Sequence, residues 1–387
     1  MSVKSRYFEN PYARTDTPLP KVHLDTHSGL TKCLERLIRK YPPSKVSPFG
    51  GLYYGAASVS YLFHSLSFHY PDLIIAEKDL EYWQKAYLHL LQKYTQEFHN
   101  PRPSHCGVGD DKLTLLALEA ATTTNENSLK DLCNWARTII EDEKHNSKQA
   151  SNEWLYGRAG YLYLLRLAAS GFKENASITD LVNQAASVVI ETILAAPRPW
   201  TWHGSSYIGG VHGTIGIIVQ IVLTNPSYAD RVRDDLKQVL DLQNSLNGNW
   251  PSSLESENND RLVQFCHGAT GVVHSLIRLR PYFPDLQERI DAAIETGRQC
   301  IWERGILTKE PCLCHGTTGS ALTLDQPRRQ VMVSYTTEDR IKRKITQKVM
   351  EPAQDGEGLW TGIAGRAWAW AVVDKGLAST FLGYDDV

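Results

Sequence analysis

One short pattern, G-x-x-G followed by an apolar, helix-like run, occurs seven times in this 387-residue chain. The copies open at Gly55, Gly107, Gly157, Gly213, Gly268, Gly316 and Gly362, at intervals of 46 to 56 residues. Two copies are degenerate at the second glycine, with Ser58 and Asp110 in its place. A period this long accommodates two helices and two connections, and self-similarity at a fixed period marks a repeat architecture. The segments between copies agree. Leu30, Cys33, Leu34, Leu37 and Ile38 follow the i, i+3, i+4, i+7, i+8 spacing of a helix with one buried face. Leu132, Trp135, Ala136, Ile139 and Ile140 follow it too, and Leu286, Ile290, Ala293, Ile294 and Ile301 do so approximately. The runs after the glycines are less polar, as an inner layer would be. No segment alternates apolar and polar residues for long, so strands are not needed. The simplest all-α solution is seven helical hairpins closed into a ring, a barrel of seven inner helices within a barrel of seven outer ones. Glycine at each inner helix start lets neighbouring backbones crowd together. All seven motifs would then face one end, gathering Cys106, His212, Cys266, His267, Cys314 and His315 at a mouth.

The bulk composition narrows the function. Forty-one basic residues against 43 acidic ones give a net charge of −2, with no basic patch, so nucleic acid is not expected as a partner. The opening "MSVKSRYFENPYARTDTPLP" has no apolar run of the signal-peptide kind, and "IGIIVQIVL" (215–223) and "AWAWAVV" (367–373) are too short to span a bilayer. A cytoplasmic protein without a transmembrane segment is expected, with peripheral membrane association left open. An odd number of cysteines, seven, argues against a disulfide framework. Residues 1–22 read as an arm able to fold over the mouth, with "PLP" leading into the first outer helix, and 23–387 as a single domain of seven repeats.

Cysteine placement carries the chemistry. Cys33, Cys133 and Cys300 fall on apolar helix faces and read as small buried hydrophobes. Cys106, Cys266, Cys312 and Cys314 lie in Gly-rich punctuation instead. "FCHGATG" (265–271) and "LCHGTTG" (313–319) write Cys-His-Gly-x-x-Gly twice, offering two thiols and two imidazoles from separate repeats. Zinc favours such N/S donors in tetrahedral geometry; a structural site uses four protein ligands and a catalytic one three. The spacing does not decide which of Cys266, His267, Cys314 and His315 ligate. An open fourth position suits a substrate thiol held as thiolate, with His212 as the proton-handling group, or a water for hydrolysis. Cys312 reads as a bystander whose side chain diverges from that of Cys314.

Those two motifs, together with "WHGSSYIGGVHGTIGI" (202–217), "LYGRAGYL" (155–162), "NGNWPSS" (247–253) and the opening "RYFENPYA" (6–13), resemble the LanC-like proteins, eukaryotic relatives of the bacterial lanthionine cyclases. The resemblance runs over nearly the whole chain. It implies an α/α toroid with one zinc ion held by Cys266, Cys314 and His315, and His212 as the catalytic acid/base. It implies glutathione as co-substrate, its thiol adding to dehydroalanine or dehydrobutyrine in proteins, a glutathione transferase-like reaction. Arg6 and Lys309 match positions for the glutathione carboxylates, and Arg158 is a further candidate anion ligand. The chain departs from the family pattern at Trp360-Thr361-Gly362, where relatives often carry F-E-G, and near Glu351, where an arginine is expected.

Other readings compete. The toroid could keep zinc and glutathione as a non-catalytic scaffold. A glycosidase on a similar barrel would use paired carboxylates, and Asp110, Asp355 and Glu357 are available, but no motif pairs them. A zinc prenyltransferase would need a carboxylate ligand to the metal.

Overall fold

The computed structural model describes residues 5–13, 17–141, 150–172, 175–256 and 261–387. Along the chain run α1 (Thr26–Lys40), α2 (Gly55–Ser67), a minimal hairpin of β1 (Ile74–Ile75) and β2 (Lys78–Asp79), α3 (Leu80–Lys93), α4 (Asp111–Thr123), α5 (Glu126–Asn134), α6 (Ala136–Ile140), α7 (Arg158–Ala169), α8 (Ala176–Ala195), α9 (Thr214–Thr224), α10 (Arg233–Asp241), α11 (Ala269–Leu279), α12 (Gln287–Arg304), α13 (Thr317–Thr323), α14 (Gln326–Ser334), α15 (Glu338–Thr346) and α16 (Ile363–Lys375).

The helices that follow the repeat glycines, α2, α4, α7, α9, α11, α13 and α16, each pack on the next, and α16 packs back on α2. They form the closed inner ring. The outer helices α3, α5, α8, α10, α12 and α14 each cover the inner helix before them, and α1 covers α16. The first and last helices of the chain therefore pair to close the ring. The sequence pattern explains the layering. Helix α9 is buried on every side from Thr214 to Val222, whereas α1 buries one face, Leu30, Cys33, Leu34, Leu37 and Ile38. Burying side chains of this kind stabilises by about 1.5–3 kcal/mol each. Asp25 caps α1 by accepting the Ser28 N–H at 2.9 Å, and Arg39 and Lys40 sit in its last turn.

The second glycine of the motif has a steric cause. A Cβ at Gly271 would lie 2.0 Å from the Phe265 carbonyl oxygen, and one at Gly319 2.1 Å from that of Leu313, in both cases the residue six positions upstream. The pre-helix loop folds back onto its own helix, leaving room only for hydrogen. Asp110 departs from this by capping: its carboxylate accepts the Leu113 N–H at 2.8 Å, so α4 starts at Asp111 rather than at the glycine. The β1–β2 hairpin is a strand element that the sequence pattern did not call for. Two outer helices are broken, α5 from α6 at Trp135 and α14 from α15 at Tyr335, Thr336 and Thr337. Helix α8 is long and apolar enough to cross a membrane by length and composition; here it packs in the outer ring against α5, α6 and α7.

The lumen is filled by the segment after α16. Phe381, Leu382, Tyr384 and Asp385 are buried, and their partners come from around the ring. Gly383 C=O accepts from Trp154 Nε1 at 3.1 Å and Tyr384 C=O from Gln220 Nε2 at 3.0 Å. Tyr384 OH bonds Ser275 at 2.8 Å, and Asp385 meets His274 and Arg278, each at 2.9 Å. Asp386 accepts from Tyr163 OH at 3.0 Å and from Tyr61 OH. On α2, α7, α9 and α11 these partners lie from mid-helix onward, away from the repeat glycines.

Burial pushes the Asp386 carboxyl up to about 6, against the lowering effect of the Tyr61 hydroxyl. The folded state thus binds this proton more tightly than the unfolded chain. Its contribution to stability is fully present at low pH and declines as pH rises from about 4 through 6. Asp386→Asn is expected to lose that decline, which thermal midpoints measured across pH 4–7 for both proteins would check.

Candidate functional site

A closed belt of backbone hydrogen bonds circles the mouth. Leu52 N–H donates to Val108 C=O (2.8 Å), Val108 to Trp154 (3.4 Å), Trp154 to Val211 (3.1 Å), Gly210 to Phe265 (3.1 Å), Phe265 to Cys314 (2.9 Å), Cys314 to Trp360 (2.9 Å) and Trp360 to Tyr53 (3.0 Å). Each pre-helix loop is thus pinned to the next, and the seventh to the first. The belt sets Cys266 beside Cys314 although 48 residues separate them.

The Cys266 thiol lies beside that of Cys314, and the His315 ring beside the thiols of Cys314 and Cys312. Cys314 is buried, while Cys266 and His315 are half-exposed. Burial, followed by the neighbouring Cys266, pushes the Cys314 thiol well above its usual value. A pair of thiols so placed ionises only with a cation beside it. The donor set is the soft N/S type that zinc prefers. Among the described residues no three His, Cys, Asp or Glu side chains are yet gathered into a metal-holding cluster. Cys266, Cys314 and His315 fit the ion by donor chemistry and adjacency, and closing on it needs a side-chain adjustment. Cys312, expected to diverge, is brought beside His315 by the turn before α13.

His212, on the loop before α9, has its Nδ1 2.9 Å from Glu153 Oε2. Glu153 is buried and accepts further hydrogen bonds from Leu155 N–H (2.7 Å), Tyr156 N–H and Ser151 Oγ (3.2 Å). A carboxylate fixed in this way accepts the hydrogen bond of Nδ1–H and leaves Nε2 as the ring's acceptor. The imidazole stacks on Trp202, with centroids 3.9 Å apart and planes within 2°. His267 lies 6.3 Å from His212, ring to ring. Burial, and then His212, pushes His267 down to about 4, so it stays neutral.

The remaining expectations divide. Arg6 and Lys309 meet in one cavity of about 270 Å³, joined by Arg261, Gln264 and Glu351. The arm reaches it because Tyr7 bridges Leu307 and Thr308 N–H donates to Arg6 C=O at 3.0 Å. Gln264 links the cavity to the thiols, its Oε1 lying 3.4 Å from Cys266 Sγ. Glu351, near which the family resemblance implies an arginine, lines both this cavity and a second one lined by Lys309, Glu310 and His315. Arg158 goes elsewhere. It is buried, donates to Ile139 C=O (3.0 Å) and Asn152 Oδ1 (3.1 Å), and lines a separate cavity with Trp200 and Pro199. Cys106 is fully buried against Pro103 rather than lining the mouth. His203 occupies the left-handed position of the Trp202–Ser205 turn, edge-on to Trp202. Cys33, Cys133 and Cys300 are buried as expected.

Sequence reasoning missed Glu153, Trp202, Arg261 and Tyr53. A signal existed for the first. Glu153 is the one acid in "NEWLYGRAGYLYLL" (152–165), where a carboxylate is costly to bury unless it is paired.

Residues 50–370 match the model of the family described as lanthionine synthetase C-like protein. The LanC-like protein GCL1 of Arabidopsis thaliana is 28% identical over 260 residues, 61% of this chain and 58% of that protein. The glutathione S-transferase LANCL1 of Danio rerio is 30% identical over 184 residues, 44% of this chain and 45% of that protein. The alignments thus span about half the length of these curated relatives. Nisin cyclase superposes with a TM-score of 0.59 at 14% identity, covering 93% of this chain and 96% of its own, and so shares the toroidal fold. With the family model matching most of its length, the chain belongs to the lanthionine synthetase C-like protein family.

Proposed function

We propose that this protein is a zinc-dependent enzyme that adds the glutathione thiol to dehydroalanine or dehydrobutyrine residues of proteins. The observation that carries the reading is the buried Glu153–His212 pair, held by the same backbone belt as the Cys266–Cys314 thiol pair. A relative whose name is glutathione S-transferase supports the choice of thiol.

Cys266, Cys314 and His315 would hold the zinc, which when bound supplies the positive charge that keeps a substrate thiol ionised at neutral pH. His212 Nε2 takes the thiol proton, and Glu153 keeps that nitrogen free by holding Nδ1–H. The sulfur bonds to the β-carbon while the carbon–carbon π pair moves to the α-carbon. The proton taken from sulfur is returned there, so atoms and charge balance. Arg6, Arg261 and Lys309 would take the two carboxylates of glutathione. The seven free thiols fit a cytoplasmic setting.

The test mixes the protein with glutathione and a dehydroalanine peptide, with adducts followed by mass spectrometry and zinc counted per chain. His212→Asn is expected to keep its zinc and lose about 10²–10⁴-fold in rate. Glu153→Gln should also keep zinc and lose a comparable factor, because the amide can donate to Nδ1 and reverse the tautomer. Full turnover in both variants overturns the assignment of the base.

A second reading, a zinc- and glutathione-binding scaffold without turnover, rests on Glu351. This residue lines the cationic cavity near the position where the family resemblance expects arginine. One zinc per chain with no adduct from any peptide would favour it.

A further inference from the structure

Tyr53 belongs to none of the Cys or His motifs, yet it reaches the buried thiol. It lies on the loop before α2, in the first repeat, whereas Cys314 lies in the sixth. Its carbonyl accepts the Trp360 N–H at 3.0 Å, closing the belt. Its phenol donates to Cys314 Sγ at 2.9 Å. The ring is fixed on both sides, stacked on Trp360 with planes within 4° and edge-on to Trp154, each at 6.3 Å between centroids. Few routes exist for the hydroxyl to swing away, and its partner is the least exposed of the three candidate ligands.

We propose that Tyr53 is a positioning residue for Cys314, its hydroxyl holding the sulfur in one rotamer and drawing charge from it when it binds a metal. The inference rests on the zinc reading above. Partners of metal ligands orient them and tune the charge they donate. A phenol is an ordinary hydrogen-bond donor at neutral pH, and here it is aimed at the sulfur. A hydrogen bond to an ionised sulfur stabilises the anion over the protonated thiol, which favours metal capture from neutral solution. It also lowers the energy of the sulfur electrons, which a bound cobalt ion makes visible as charge-transfer absorption.

The experiment compares the full chain with Tyr53→Phe. Zinc affinity is measured by competition with a chromophoric chelator, and the cobalt(II)-substituted proteins by near-ultraviolet absorption. Tyr53→Phe is expected to bind zinc about 10–100-fold more weakly and to move the sulfur-to-cobalt band to longer wavelength. Trp360→Phe keeps the hydroxyl while thinning the stack beneath it, and should leave the band in place. An unchanged affinity and band in Tyr53→Phe overturns the role of Tyr53 and leaves the zinc reading standing. A band shift in Trp360→Phe as large as in Tyr53→Phe overturns it in favour of packing alone. A wild-type chain that binds neither metal overturns both readings together.

Discussion

Cys314→Ala is expected to leave the protein without zinc after exchange against a chelator, and without thiol addition. Under the proposed reading it removes one of three protein ligands, and His315 and Cys266 alone cannot complete a tetrahedral N/S site. Loss of the metal removes several kcal/mol of charge stabilisation at the sulfur, a fall of at least about 10³-fold in rate. The fold should survive. Cys314 is fully enclosed, but the change deletes a single sulfur atom, and the belt bonds at this position use the backbone amide and carbonyl, which alanine keeps. A near-normal thermal midpoint together with absent zinc is therefore the expected pair of results. Zinc retained at one per chain in Cys314→Ala would sink the ligand assignment. Cys312→Ala serves as the comparison, since its thiol touches His315 without belonging to the proposed ligand set.

Tyr384→Ala should have the largest effect on stability. The ring is wholly buried and packs against Phe265 at 4.9 Å and Trp154 at 5.7 Å between centroids, and its hydroxyl bonds Ser275. Emptying a buried aromatic site costs about 3–5 kcal/mol, and the stranded Ser275 hydroxyl adds about 1–3 kcal/mol. Because Phe265 and Trp360 are both belt residues and share contacts with Tyr384 and Phe381, the damage should reach the thiols. A lower thermal midpoint and weaker zinc retention are expected together. A Tyr384→Ala protein as stable as the wild type would show that the lumen segment only decorates the barrel.

The periodic parts of the molecule were legible before any coordinates. Gly271 and Gly319 recur at fixed intervals because a steric demand recurs, and Leu30 to Ile38 follow a helical spacing because one face of α1 is buried. The Cys-His-Gly pairs could be read for the same reason, since each repeats within its copy of the motif. What could not be read was set by contacts with no sequence period. Glu153 meets His212 across 59 residues and Tyr53 meets Cys314 across 261. The segment "FLGYDDV" (381–387) carries no copy of the repeat motif, and its burial depends on partners drawn from four inner helices. Cys312 was expected to diverge from Cys314, and the tight turn before α13 instead brings its thiol beside His315. Arg158 at its motif looks like an anion ligand, and the structure places a main-chain carbonyl and an amide among its partners.

The belt around the mouth also says something about how the molecule comes into being. A ring of hydrogen bonds has no first link, so every loop waits on two neighbours. The link that joins its two ends spans most of the chain: Trp360 meets Tyr53, 307 residues apart. Closing a loop of that length costs about 5 kcal/mol in chain entropy, and that cost must be met before most of the contacts that reward it exist. Folding should therefore be slow and late in commitment. Since Tyr53 comes from the first repeat and Cys314 from the sixth, the thiol site cannot exist in a partly wound chain, and its appearance would serve as a clock for ring closure.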